Sequence, residues 1–253
     1  MKQLRSTGLV DAPPRVVSAT LTERSLFGGS GVLAPGDELR LGVGRVRVAE
    51  IGVGGLRLVP VGGDFALDVR LAATGGGVLV TATATVRAAW LGMVARRGLL
   101  GLLRSTVDRM RVRAEALVEA PVVVGTAIVR GRAVLAQQRA YPAGDAGRWE
   151  LPGGRVEADE SDVDAVRREC VEELGVVVRV GRAVGPDVVL GKGKLLRVYR
   201  AELVRSDAVP HPHDHQDLRW LTPGRLGSVD WLPADRVLLP AVRRLLSGRT
   251  DPP

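Results

Sequence analysis

Three observations predict an α+β protein in two parts. The first half alternates apolar and polar residues in short runs between glycine turns, as half-buried antiparallel strands do. A long helical stretch closes it at about 93–118, and Pro121 cannot continue that helix. The second half opens with a strongly apolar strand and later carries a glycine loop that runs into an acidic helix. A chain of 253 residues is long enough for two cores. The expected domains span 1–118 and 121–248.

Each element follows from local chemistry. Lys2–Leu9 alternates loosely and starts the first half. In Asp11-Ala-Pro-Pro, Asp11 is placed to cap a short helix over Val16–Leu21, because a proline in the first turn forfeits little. Strands are expected over Glu38–Val43, Val46–Ile51, Leu56–Val61, Phe65–Leu71 and Val78–Val86. Pro35-Gly36, Gly54-Gly55, Gly62-Gly63 and Gly75-Gly76-Gly77 punctuate them. No GxGxxG phosphate loop follows a strand there. In the long helix, Leu99, Leu102, Leu103, Val107 and Met110 recur at the spacing of one face. Val122–Val129 and Ala133–Gln137 flank Gly131 as a strand pair. A last helix, Arg236–Leu246, is expected to bend at Pro240.

Composition narrows the function classes. With 45% hydrophobic and 25% charged residues the chain is globular. The single cysteine, Cys170, excludes an intrachain disulfide and fits a reducing compartment. No signal peptide or membrane-length apolar segment is present, so a soluble cytoplasmic protein is expected, with no membrane partner. The net charge of +8 invites a nucleic-acid reading. Only three basic residues are lysines (Lys2, Lys192, Lys194) and asparagine is absent, which points to a GC-rich coding bias. Residues 1–120 hold 16 Lys and Arg against 10 Asp and Glu; the remainder holds 20 against 18. The basic helix offers Arg96, Arg97, Arg104, Arg109, Arg111 and Arg113. Aromatic stacking partners are nearly lacking beside them, so single-stranded nucleic acid is not the expected ligand.

The chemistry concentrates in residues 149–176. Pro152-Gly153-Gly154 must turn tightly, and glycines let the backbone approach a ligand. Ser161 stands at an N-cap and Gly175 at the helix end. Val163, Val166, Cys170 and Leu174 form the buried stripe, and Cys170 in that stripe is expected to be an inert thiol. Glu169, Glu172 and Glu173 share another face, where three carboxylates repel unless a cation neutralises them. Hard oxygen ligands in that number suit Mg²⁺, with Mn²⁺ as a second choice; a solvated acidic face is the other reading.

The spacing decides between them. Gly154, Glu160, Arg168, Glu169, Glu172, Glu173 and Gly175 match the fixed positions of the Nudix box, GX5EX7REUXEEXGU, with Cys170 and Val176 at its aliphatic positions. Residues 121–248 thus resemble a Nudix hydrolase, and the resemblance implies an α/β/α sandwich. It implies that Glu169, Glu172 and Glu173 bind metal with help from the Gly153 carbonyl. Arg168 would orient a glutamate, and Glu160 would hold the loop against the helix. The family hydrolyses nucleoside diphosphates linked to a further moiety.

Outside the box the likeness is to MutT-type nucleoside triphosphate pyrophosphohydrolases, including CTP-directed members. Arg139 matches a phosphate-contacting arginine, and Leu151 an apolar contact to the base. Asp214, six residues before Trp220, stands where an extra acidic metal ligand or base is expected; the base is either Asp214 or a box glutamate. Asp235 matches a residue that reads the base edge. A carboxylate is an acceptor only, which leans towards a cytosine amino group; helix capping is the plainer role for it. The implied substrates are (d)CTP-like nucleotides or 8-oxo-dGTP, hydrolysed to monophosphate and pyrophosphate in nucleotide-pool cleansing. ADP-ribose hydrolysis and ligand sensing are the alternatives. His211, His213 and His215 would share one strand face; a polar loop or strand edge is preferred there to a zinc site.

The first half, through Val10-Asp11-Ala-Pro-Pro-Arg-Val-Val and its closing helix, resembles the START-like (SRPBCC, polyketide-cyclase-type) superfamily. That resemblance implies a helix-grip fold, an antiparallel sheet with a long C-terminal helix. It implies either a hydrophobic ligand between sheet and helix or a domain that serves only for packing.

Overall fold

The structure, a computed structural model, describes residues 1–86 and 93–248. The first half contains β1 (Lys2–Val10), α1 (Pro14–Thr20), β2 (Glu38–Leu41), β3 (Gly44–Gly52), β4 (Gly55–Pro60), β5 (Phe65–Thr74), β6 (Gly77–Val86) and α2 (Met93–Leu117). The second continues with β7 (Val122–Arg130), β8 (Ala133–Arg139), β9 (Trp149–Glu150), α3 (Asp162–Leu174) and β10 (Val178–Ala183). After these come β11 (Val188–Val189), β12 (Leu195–Leu203), β13 (His215–Leu221) and α4 (Pro233–Leu246). The fold is α+β. The chain forms two compact units. One is Met1–Ala120 with Pro186–Gly193; the other is Pro121–Gly185 with Lys194–Pro253.

In the first unit, six antiparallel strands lie in the order β1-β6-β5-β4-β3-β2. Alternation sets the two faces: Val78, Val80, Ala82, Ala84 and Val86 of β6 are buried, while Leu79 between them is exposed. The inner face receives α2, whose buried residues Leu99, Leu103, Thr106, Val107, Met110, Ala114 and Leu117 recur every three or four positions. Leu102, expected in that stripe, is only half-buried. Gly8 lets the helix approach β1, because a Cβ there would lie 2.6 Å from Val107 Cγ1.

Asp11 does not cap α1. The cap position is Pro13, with no side-chain hydrogen bond, and Pro14 occupies the first turn. The basic helix also turns part of its charge inward. Arg113 makes a two-pronged ion pair with Glu23 at 2.8 and 2.9 Å, and Arg109 donates to the Leu26 carbonyl at 3.0 Å.

Pro186–Gly193 belongs to this unit although it falls inside the range 121–248 expected for the second domain. Asp187 is fully buried and pairs with Arg15 at 2.8 Å. The Val189 N–H donates to the Thr22 hydroxyl at 3.2 Å.

In the second unit, five strands take the order β10-β12-β7-β8-β13, with β9 paired to β8. β7 and β12 run parallel; the other neighbours are antiparallel. Helix α3 packs its buried Ala165, Val166, Cys170 and Leu174 against Val124, Ile128, Leu135, Val178 and Ala201 of the sheet. Val163, expected in the stripe, is half-buried. Ser161 caps α3 by accepting the Asp164 N–H at 3.2 Å. Gly175 ends it with φ +65°, its N–H bonded to the Val171 carbonyl and the Val176 N–H to the Cys170 carbonyl. Helix α4 starts three residues earlier than expected, at Pro233, and contains Pro240. Among the described residues, no helix is long and apolar enough to cross a membrane.

The Gly8 contact gives a direct test. Gly8→Val is expected to lower the stability of the full chain by about 1–3 kcal/mol in denaturant unfolding, through overpacking against α2. Thr7→Val, on the exposed face next to it, should change it by less than about 0.5 kcal/mol.

Candidate active site

The glycine loop is built as an extra edge along β7. Thr126 N–H donates to the Pro152 carbonyl at 2.7 Å, Val124 N–H to the Gly154 carbonyl at 2.8 Å, and Val156 N–H to the Val122 carbonyl at 3.2 Å. The carbonyls of residues 152 and 154 therefore face β7, and the Gly153 N–H points away, towards α3. The φ of Gly153 is +152°, and a Cβ would lie 2.0 Å from the Val124 carbonyl oxygen, so only glycine fits. The Gly153 N–H donates to Glu173 Oε2 at 2.9 Å. At Gly154 a Cβ would lie 2.0 Å from Glu169 Oε1, because the carboxylate rests directly on the loop.

Arg168 joins loop and helix. Its Nε and Nη2 grip Glu160 Oε1 and Oε2, both at 3.0 Å. Nη2 also reaches the Arg155 carbonyl at 2.8 Å. Nη1 donates to Glu169 Oε1 at 2.9 Å and to Glu172 Oε2 at 3.0 Å. The hydrogen bond from Arg168 is the main reason that the Glu160 carboxyl sits below the ordinary range. Glu169 moves the other way: burial raises it, against the pull of Arg168.

Glu173 has a separate environment. Its Oε2 accepts from Gln137 Nε2 at 3.0 Å as well as from Gly153. Burial raises its carboxyl above the ordinary range, opposed by Gln137 and His215. His215 Nδ1 lies 4.0 Å from Glu173 Oε1, and its Nε2 lies 3.0 Å from Glu150 Oε1. The other oxygen of Glu150 takes Arg139 Nη1 at 2.6 Å. Among the described residues, no three His, Cys, Asp or Glu side chains converge at metal-binding distance.

The α4 end of the site is set by β9. Trp149 N–H donates to the Asp230 carbonyl and Leu232 N–H to the Trp149 carbonyl, both at 2.8 Å. That brings the first turn of α4 over the loop, and Asp235 Oδ1 accepts the Leu151 N–H at 3.0 Å. Burial pushes the Asp235 carboxyl up to about 7.

A NUDIX domain family model matches residues 119–242. The chain is 46% identical over 130 residues to the "Putative 8-oxo-dGTP diphosphatase 2" of Mycobacterium tuberculosis, covering 50% of this chain and 91% of that protein. The chain belongs to the Nudix hydrolase family. It is also 34% identical over 127 residues to the "CTP pyrophosphohydrolase" of Escherichia coli, covering 50% of this chain and 94% of that one. The solution structure of the E. coli ORF135 protein matches at 33% identity over 51% of this chain and 93% of that chain, with a TM-score of 0.45.

Of the residues that the Nudix pattern singled out, Gly153, Gly154, Glu160, Arg168, Glu169, Glu172 and Glu173 form one contiguous cluster through the contacts above. Gly175 stands apart at the far end of α3 as its cap. Leu151 and Asp235 meet each other, and Arg139 lies against Glu150 with its charge paired. Asp235 is not an N-cap; that position is Leu232, and the Asp235 side chain bonds across 84 residues. Asp214 is exposed and holds no ion pair among the described residues.

The three histidines do not share a strand face. His211 and His213 precede β13, and their N–H groups donate to the Leu174 and Glu173 carbonyls at 3.1 Å, closing the end of α3. Only His215 lies in the strand and enters the site. Sequence reasoning missed it, together with Glu150 and Gln137. The signal available for them was alternation: Gln137 and Arg139 differ by two on β8, and His215 pairs with Arg139. Cys170 is buried and its thiol is pushed up to about 12 by that burial, so it is an inert core group.

Two outcomes are expected from this geometry. Gly154→Ala should displace the Glu169 carboxylate and cut turnover by at least about tenfold in steady-state kinetics, a loss of roughly 1.4 kcal/mol in transition-state stabilisation. Asp235 holds its proton more tightly in the fold than in the unfolded chain. It therefore favours folding at low pH, and that contribution is lost as pH rises from 3.8 to about 7. Asp235→Asn, which keeps an acceptor for Leu151, should flatten the fall in Tm across this window in thermal scans.

Proposed function

We propose that this Nudix hydrolase is a divalent-metal-dependent nucleoside triphosphate pyrophosphohydrolase, converting NTP and water to NMP and pyrophosphate. Its proposed substrates are (d)CTP-like nucleotides or 8-oxo-dGTP. The observation that carries the proposal is the Arg168 cluster, which ties Glu160, Glu169 and Glu172 to one guanidinium while Glu169 rests on Gly154 and Glu173 is fixed on Gly153.

The residues fit a hard divalent cation. Glu169 and Glu173 are raised by burial, so their charged forms lack solvent, which a cation would offset. Glu169, Glu172, Glu173 and the Gly153 carbonyl, with Asp214 as a further ligand, would hold Mg²⁺ or Mn²⁺, which supplies charge to activate water and stabilise leaving pyrophosphate. Arg168 keeps Glu169 and Glu172 on one side of the helix. Glu172, 57% exposed, can turn without unpacking the core. A box glutamate is favoured over Asp214 as the base, since Asp214 is exposed and no side chain among the described residues orients it. Arg139 would reach the phosphates by sharing its guanidinium with Glu150.

The base-edge assignment changes with the structure. Asp235 titrates near neutrality, so it can present either an acceptor oxygen or an O–H donor. The acceptor-only reason for preferring cytosine therefore falls away, and both substrate classes stand. The names of the two relatives, an 8-oxo-dGTP diphosphatase and a CTP pyrophosphohydrolase, support the same pair.

For the first unit, the antiparallel sheet with α2 across β1 and β6 supports a START-like helix-grip assignment. Leu103, Val107 and Met110 fill the inner face, which favours a packing role over an apolar ligand.

A nucleotide panel with Mg²⁺, scored for pyrophosphate against phosphate, tests the function. Pyrophosphate release from CTP, dCTP or 8-oxo-dGTP is expected. Phosphate as the sole product, or a preference for ADP-ribose, would refute the assignment. Glu169→Gln and Glu172→Gln should each lower kcat by more than about a hundredfold (roughly 2.7 kcal/mol) with circular dichroism unchanged.

A further inference from the structure

His215 links the two halves of the site, and the hydrolytic reading gives it no task. It opens β13 in register with Arg139, and its side chain is 9% exposed. Nε2 lies 3.0 Å from Glu150 Oε1. A carboxylate only accepts, so Nε2 is the ring nitrogen that carries the proton. The same Glu150 holds Arg139 through its other oxygen at 2.6 Å. Nδ1 is buried, has no hydrogen-bond partner among the described residues, and stands 4.0 Å from Glu173 Oε1.

Glu173 is equally asymmetric. Its Oε2 is held by two donors, Gln137 Nε2 and Gly153 N–H. Its Oε1 is the oxygen left to act on a ligand, and it faces Nδ1. A buried nitrogen left unpaired is costly. A ligand lodged between Nδ1 and Oε1 would meet both groups at once. Because Glu150 engages Nε2, it fixes that Nδ1 is the ring nitrogen turned towards Oε1.

Resting on the hydrolytic reading above, we infer that His215 is a positioning residue of the reaction. It ties the Arg139–Glu150 pair to Glu173 and sets a nitrogen beside the one Glu173 oxygen that remains available to a divalent cation. The side chain thus acts through Glu173 on cation binding and through Glu150 on Arg139, and the two effects separate by ring nitrogen.

The test uses the full-length chain and Mn²⁺ alone, with free Mn²⁺ followed by electron paramagnetic resonance, alongside kcat and KM with Mg²⁺. His215→Gln places an amide N–H near the Nε2 position and nothing at Nδ1. It should keep KM within about threefold of wild type while weakening Mn²⁺ binding and kcat by roughly tenfold or more. His215→Asn places an oxygen near the Nδ1 position and should recover most of the Mn²⁺ affinity. Mn²⁺ binding by the Gln variant as tight as wild type, or an Asn variant no better than Gln, would overturn the inference. A wild-type chain that binds Mn²⁺ yet hydrolyses no nucleoside triphosphate would refute the hydrolytic reading instead, and the Mn²⁺ comparison would still decide the role of His215.

Discussion

Arg168 has five N–H donors, and all five are engaged: two on Glu160, one on the Arg155 carbonyl, one on Glu169 and one on Glu172. A planar guanidinium can serve that many acceptors in fixed directions, which an ammonium cannot. The acceptors come from both sides of the helix start, Arg155 and Glu160 before α3 and Glu169 and Glu172 within it. One side chain therefore determines where the loop meets the helix, and it keeps neighbouring carboxylates at distances they would otherwise resist. Glu169 rests on Gly154 only because this anchor stands on its other side.

Glu173 shows how the same helix presents a different kind of carboxylate one position on. It has no arginine. Its charge is met by a backbone N–H, an amide and, at longer range, an imidazole. Burial leaves it raised against these weaker partners, whereas Glu160, tightly bound to Arg168, is lowered. The loop can take part because Pro152 and Gly154 commit their carbonyls to β7. That leaves the Gly153 N–H facing α3, in a conformation and a space that exclude any side chain. Backbone hydrogen bonding along β7 and side-chain electrostatics along α3 thus converge on one residue pair, Gly153 and Glu173.

The first unit raises a different point about charge. Its excess of arginine reads as a surface for anions, yet Arg15, Arg24 and Arg113 pair with Asp187, Asp37 and Glu23 at 2.7 to 2.9 Å. These pairs tie together segments far apart in sequence. Arg15–Asp187 is the longest-range of them, and it holds the Pro186–Gly193 segment in the first unit. A domain boundary drawn from a single proline could not anticipate a segment that leaves one unit and returns.

The sequence by itself determined the strands of the first half, β7, β8 and the helices to within a few residues, the antiparallel character of the first sheet and the identity of the Nudix box; it set no bounds for β9 to β13. Those depend on short-range rules: alternation, a three-to-four-residue stripe, glycine at turns, and fixed spacing within residues 149–176. It misassigned Asp11 as a cap, because either proline of Pro13-Pro14 can begin the helix without a side-chain partner. It grouped His211, His213 and His215 by spacing, although the strand begins only at the third. Only the tertiary structure decided that Asp235 meets Leu151, that Arg139 is already paired, and that His215, Glu150 and Gln137 belong to the site. Those contacts join β8, β9, β13, α3 and α4 across up to 84 residues, and no local pattern encodes which side chains meet across a sheet. Burial does the rest. It moves Asp235 to about 7 and raises Glu173, and burial belongs to the packed fold, not to the order of residues.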